Sequence, residues 1–321
     1  TMQTQKELIR LHPRHGLTNV DVLSFNRLAY RVFEDLAVET LTVLDDMGKS
    51  MILRKVAAEK KKELHYYQRH LNQNGFVNQL KSLLSELYQY GVTPNMLEEL
   101  NQQAPKPILK EKLNDLEVMF RGFRDYIQNK FTTVEEVLDL CCRELPRWNK
   151  LSKSEIYLDG YTGFTPVQYR ILELCMGISS RVRLAVTVDL SEPFYQEGKK
   201  EDLFYMSRHM ICKLIDSAAK AGVDHESDIL LNPNAQARFQ NSPDLAYLER
   251  CFHRYGTKRG NNPPKAQNDR EEIRIYQGRN PAKEVAFVCR QIERGLQKGL
   301  RYRDMAVITG DLPSYGREVE K

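Results

Sequence analysis

The feature that most constrains this chain is a change in the period of its apolar residues. Over about residues 45–150 they recur at helical spacing: Phe76, Leu80, Leu83, Leu84, Leu87 and Tyr88 form one stripe, and Leu109, Leu113, Leu116, Phe120, Phe123 and Ile127 form another. Gly91 followed by Thr93 and Pro94 reads as the end of one helix and the capped start of the next. Thr133 with Glu136 three residues later has the form of a capping box, in which hydroxyl and carboxylate satisfy each other's backbone N–H. No strand pattern is evident in that stretch.

On both sides the pattern changes to short strand-like runs that hand over to helices. Residues 19–25 form one such run, followed by Leu28, Val32 and Leu36 on one helical face. Residues 156–159 and 182–188 read as strands, and Thr165 with Pro166 starts a helix between them whose Tyr169, Leu172 and Met176 face inward. A strand, a helix and a strand in succession imply parallel neighbours. The expected organisation is therefore an α/β domain (1–44 and 151–231) interrupted by an all-helical insertion (45–150). Residues 232–270 are rich in Asn, Pro, Gly and charge, and read as a linker or mobile loop. Beyond it, residues 272–276 and 305–309 read as strands around a helix starting at Asn280 and Pro281, with Val285, Val288, Cys289, Ile292 and Leu296 as its buried stripe. This is the start of a second α/β domain, 271–321, expected to be truncated. Thr1 in place of Met and a stop soon after a predicted strand make both ends read as cut.

Composition removes several function classes. The 321 residues are 41% hydrophobic and 28% charged, which supports folded cores. The formal charge is only +5, so a polyanion-binding surface must come from local arrangement. The six cysteines contain no C-x-x-C pair and no compact Cys/His cluster, which argues against a zinc ribbon or a disulfide scaffold and for reduced, mostly buried thiols. The seven histidines include no H-E-x-x-H. With no long apolar segment and no secretory leader, a cytoplasmic location is expected and a membrane is not.

Four groups of residues carry candidate chemistry. Asp159 ends an apolar strand, at the sheet edge where open α/β folds bind ligands, and could hold Mg²⁺ for a nucleotide or be structural or vestigial. Phosphoanhydride hydrolysis also needs a positioned water and a phosphate cradle. Gly160 follows Asp159, and the sequence contains no G-x-x-x-x-G-K-[ST] loop. Ser24, Phe25 and Arg27, at a strand-to-helix junction, offer a hydroxyl, a guanidinium and helix-terminal N–H groups to a DNA phosphate, or simply a cap and a core residue. Arg54, Lys55 and Lys60 to Lys62 are either a nucleic-acid contact or a solvated face, and Lys258 with Arg259 is equally open. Tyr66, Tyr67, Tyr88 and Tyr90 could stack bases or pack in cores, and Trp148 reads as a packing anchor.

Three segments, taken in order around a helical insertion, resemble one family. They are Asn19-Val-Asp-Val-Leu-Ser-Phe-Asn-Arg-Leu-Ala-Tyr-Arg-Val-Phe33, Ile156-Tyr-Leu-Asp-Gly-Tyr-Thr-Gly-Phe-Thr-Pro166 and Tyr302-Arg-Asp-Met-Ala-Val307. Together they look like the amino-terminal part of the B subunit of the bacterial ATP-dependent helicase/deoxyribonuclease AddAB, also called RexAB. The resemblance implies UvrD-like helicase domains 1A, 1B and 2A with degenerate motor motifs. Ser24 and Phe25 would then lie in a single-strand DNA contact segment, and Gly160 would stand where active motors carry a water-activating carboxylate. It further implies an AddA/RexA-type helicase-nuclease partner, single- and double-stranded DNA ends as substrates, and scanning of the single strand for Chi during double-strand break processing. ATP, Mg²⁺ and a [4Fe-4S] cluster would belong to the parent complex, the cluster outside this segment, with no ATPase or nuclease activity in this piece. An alternative from another class is a structural docking scaffold for the motor subunit that barely touches DNA.

Overall fold

The computed structural model describes residues 2–71, 73–190, 192–231, 239, 241–251 and 272–320. The chain divides into two compact units, Thr1–Ser227 and Asp228–Lys321. It is a mixed helix and strand structure with small parallel sheets, as an α/β reading requires.

The first unit begins with α1 (Met2–Leu11), which buries no residue, and α2 (Phe25–Leu36). Ala37, in the left-handed region at φ 52°, ends α2 by donating its N–H to the Phe33 and Glu34 carbonyls. After β1 (Thr42–Val43) come four helices: α3 (Asp46–Glu59), α4 (Asn74–Gln89), α5 (Pro94–Gln103) and α6 (Pro107–Ile127). Thr93 caps α5 with Pro94 at its first position, as its sequence dictates. The chain then returns through β2 (Phe131–Thr132), which pairs in parallel with β1, Thr42 beside Phe131 and Val43 beside Thr132. The helical stretch is thus tied off at its root. Its core is Leu53, Val56, Leu64, Leu84, Met119, Phe120 and Phe123, all at or near zero exposure. At Gly122 a Cβ would lie 2.6 Å from Val56 Cγ1, so only glycine permits the close approach of α6 to α3.

A second core gathers α2 with the helices that follow β2. Helix α7 (Val134–Glu144) opens with the Thr133–Glu136 capping box and is followed by β3 (Glu155–Leu158), α8 (Pro166–Ile178), β4 (Arg181–Leu184) and α9 (Tyr205–Lys220). Ala29 and Val32 of α2 meet Val137 and Cys141 of α7 and Ile171 and Cys175 of α8, all buried. Although α7 lies within 45–150, its apolar face packs in this second core. The two cores are also bridged by a buried ion pair: Lys49 of α3 reaches Glu135 of α7 at 3.2 Å and donates to Ser85 of α4 at the same distance. Trp148 is the anchor its position suggested. Half-buried against the second core, it donates from Nε1 to Asp35 at 2.8 Å, where Lys150 also binds. The hydrogen bonds from Lys150 and Trp148 hold the Asp35 carboxyl below the usual carboxylate range.

β3 and β4 are parallel, Glu155 beside Arg181 through Leu158 beside Leu184, as the strand–helix–strand order predicts. The strand expected over 182–188 ends at Leu184, with one further bond from the Ala185 N–H to the Leu158 carbonyl at 2.9 Å, and 20–24 has no ladder partner among the described residues. On α8 the buried face is Val167, Ile171, Leu172 and Cys175, so Tyr169 and Met176 flank it and are only half-buried.

In the second unit, α10 (Pro243–Cys251) falls within the stretch read as linker, while Lys258 and Arg259 lie outside the described residues. Helix α11 (Pro281–Gln297) starts where expected, Asn280 accepting from the Lys283 N–H at 3.0 Å, and α12 (Leu312–Glu320) follows. Cys289 is exposed and not in the inward stripe. Residues 272–276 and 305–309 form no strand or ladder among the described residues, and Ile275 and Ile308 are 97% and 93% exposed. Strand propensity alone does not supply neighbours.

Candidate nucleic-acid interface

The two sequence candidates, far apart in the chain, come together through aromatic rings. Ser24 accepts the Arg27 N–H at 3.4 Å, so its hydroxyl serves as the α2 cap. Phe25 is half-buried and meets Tyr161 edge-on at 6.0 Å and Phe164 at 5.9 Å between ring centroids. Tyr161 and Phe164 lie 4.8 Å apart, Phe164 meets Tyr169 at 5.5 Å, and Lys213 of α9 sits 5.6 Å from the Tyr169 ring centre. Burial pushes the Tyr161 and Tyr169 phenols up, so both remain neutral at physiological pH. The start of α2 is thereby fixed beside the loop that leaves β3.

That loop opens with Asp159 and Gly160, both exposed, Gly160 in the left-handed region at φ 77°. Arg27 is exposed and has no ion-pair partner among the described residues. The first amides of α2 point out of its amino terminus, where a helix leaves N–H groups free and favours an anion. The arrangement offers a guanidinium, helix-end donors and aromatic surface side by side, the elements that grip a phosphate and face an unstacked base. Among the described residues, no group of three or more His, Cys, Asp or Glu side chains gathers that could hold a metal ion.

Tyr161 and Phe164 are the members that sequence reasoning did not single out. Their signal was two aromatic residues three apart just after Asp159 and Gly160. The other candidates lie elsewhere. Tyr88 is a core residue, edge-on to Phe120 at 5.1 Å, its phenol pushed far up by burial. Tyr66 and Tyr67 belong to a turn on the helical insertion, edge-on to each other at 5.1 Å, and Tyr90 is exposed. Of the cysteines, Cys141 and Cys175 are buried, Cys142 and Cys212 half-buried, Cys251 and Cys289 exposed, and all six are free. No helix of the described residues is long and apolar enough to cross a membrane.

Comparison with known proteins fits this order of segments. The family model described as "ADDB, N-terminal" matches residues 1–249. A protein of Lachnoclostridium phytofermentans, named as the B subunit of an ATP-dependent helicase/deoxyribonuclease, is 35% identical over the whole chain. Proteins of the same name from Desulforudis audaxviator and Clostridium novyi are 33% and 30% identical over 98% and 100% of it. The chain spans only 27–28% of the length of these relatives. The chain therefore belongs to the ADDB amino-terminal family, and its relatives across its full length are the B subunits of ATP-dependent helicase/deoxyribonucleases.

Proposed function

We propose that this chain is the helicase-like, non-motor part of a B subunit that holds single-stranded DNA and scans it for Chi while a partner motor of the AddA/RexA type processes a double-strand break. The observation that carries the reading is the cluster of Phe25, Tyr161 and Phe164, which sets Arg27 and the α2 amino terminus beside the end of β3. In this reading the first unit is a UvrD-like 1A domain with a 1B insertion, and residues 271–321 begin a 2A-like domain. Ser24, Phe25 and Arg27 contact the strand, while Asp159 is a vestige of a nucleotide site. The relatives are named as one subunit of an ATP-dependent enzyme, which supports a partner that supplies ATP turnover.

A single strand gripped in a cleft needs both walls. This segment is therefore expected to bind single strands through phosphates, with affinity that falls with salt and little preference for Chi. The test compares Chi-containing and scrambled single strands at fixed salt, using this chain, the full subunit, and the full subunit with its motor partner. Discrimination should appear only in the larger assemblies. Arg27→Ala should reduce the steepness of the salt dependence by about one. Equal affinity for both strands in the complete complex, with no altered cleavage at Chi, would refute scanning. Tight partner binding with no protected phosphate would favour a docking scaffold instead.

A further inference from the structure

We infer that the turn between α3 and α4 on the helical insertion is a second nucleic-acid contact, separate from the Phe25 cluster, that grips the phosphodiester backbone. Its charge is the first observation. Within residues 60–70, Lys60, Lys61, Lys62 and Arg69 stand against a single acid, Glu63, a local excess of +3 in a chain whose total is +5. Glu63 is already paired with Lys60 at 2.9 Å. Lys61, Lys62 and Arg69 are exposed and have no ion-pair partner among the described residues. A solvated face of alternating signs would neutralise itself; this one does not.

The second observation is that the turn is built, not loose. Asp115 of α6, with zero exposure, accepts the backbone N–H of His65 at 2.9 Å and of Tyr67 at 2.8 Å. Leu64 is buried in the insertion's core at 1% exposure, and Gln68 donates to the Lys61 carbonyl at 3.0 Å, folding the basic run back on itself. The buried carboxylate and the buried leucine fix the backbone on which the cations stand. Ordering side chains against a phosphate costs less from a fixed backbone.

The third is chemical variety. Lys112 of α6 lies 4.6 Å from the Tyr66 ring centre, adding a fourth unpaired cation and an aromatic ring to the same surface. His70 is close to that ring as well, at 6.3 Å. Cations interleaved with an aromatic ring suit a phosphodiester chain better than an acidic protein surface, because the ring can meet a sugar or base between phosphates. The backbone could belong to a duplex arm or to a single strand, since both present the same phosphates.

The test uses the full chain with labelled 20-nucleotide single strands and blunt duplexes of equal charge density, titrated across salt. The variant is Lys61→Glu, Lys62→Glu and Arg69→Glu together, with Phe25 and Arg27 intact. The expected result is a rise of about tenfold or more in Kd at ~0.1 M salt and a salt slope shallower by about two to three, for at least one of the two ligands. Whichever ligand suffers the loss identifies the backbone that the turn grips. An unchanged melting temperature checks that the exposed substitutions leave the fold alone. Lys61→Gln, Lys62→Gln and Arg69→Gln together, which removes charge without reversing it, should give a smaller loss in the same direction. Unchanged affinity and slope for both ligands would overturn the inference. So would a loss of binding to the motor partner with nucleic-acid binding intact, which would assign the turn to protein.

Discussion

Lys49→Ala is expected to destabilise the first unit by about 3–5 kcal/mol, a large effect for a single substitution. The pair it breaks is nearly dry: the Lys49 and Glu135 side chains are 9% and 11% exposed and 3.2 Å apart. The attraction between the charges offsets a desolvation cost of several kcal/mol per ion, so the intact pair contributes little net stability. Removing the lysine alone leaves Glu135 in a low-dielectric site without its partner, and the full cost appears. The pair also ties α3 of the insertion to α7 of the second core, so its loss should loosen the joint between them. Replacing both members, Lys49→Met with Glu135→Leu, should recover most of the loss. Urea unfolding of the single and double variants checks this. A single variant within about 1 kcal/mol of the parent would show that water reaches the pair and that the joint does not depend on it.

Asp115→Ala should cost about 2–4 kcal/mol, less than the sum of its separate hydrogen bonds because the freed amides can turn towards water. Both of its carboxylate oxygens are committed, to the N–H of His65 at 2.9 and 3.1 Å and of Tyr67 at 2.8 Å. Asp115→Asn should cost less, because it retains one acceptor oxygen. The more specific readout is hydrogen exchange. The His65 and Tyr67 amides should lose protection in the alanine variant, while amides in α8 and α9 keep theirs. If those two amides exchange no faster than in the parent, Asp115 does not hold the turn. Because that turn carries Lys61, Lys62 and Arg69, weaker nucleic-acid binding should accompany the loss of protection.

These two residues also show where the sequence stops being legible. Most of the apolar stripes of α4 and α6, the Thr93–Pro94 start of α5 and the capping box of α7 follow from spacing, because each is a local relation within one or two turns; Leu83 and Leu109, read into those stripes, are instead exposed at 39% and 40%. Lys49 and Asp115 look like ordinary surface charges. Their burial depends on partners 86 and 50 residues away, which no periodicity reports. The same limit explains α7, whose helix was legible and whose allegiance to the second core was not. It explains residues 272–276 and 305–309 too. β-branched residues favour a strand, but a ladder needs a neighbour at the right edge. Met176 and Cys289 were misplaced by about one helical position, the error expected when a stripe is read without knowing what it packs against.

The candidate site was half legible. Ser24, Phe25 and Arg27 stood out because a strand-like run meets a cap, and Asp159 because an apolar run ends in an acid. That Tyr161 and Phe164 would close on Phe25 depends on the path of the chain after Gly160, where the positive φ turns the backbone. The join between those two segments gives the nucleic-acid reading its physical basis.

Whether a single strand passes over that join is tested most directly by photocrosslinking. An iodouracil-substituted single strand, bound to the complete subunit together with the proposed motor partner and irradiated, reports which side chains its bases touch. Adducts are expected at Phe25, Tyr161 or Phe164, recovered by mass spectrometry in the peptides that carry them and reduced by unlabelled single strand. Adducts confined to other parts of the subunit, with none in either peptide under conditions of saturated binding, would contradict passage of the strand over the join.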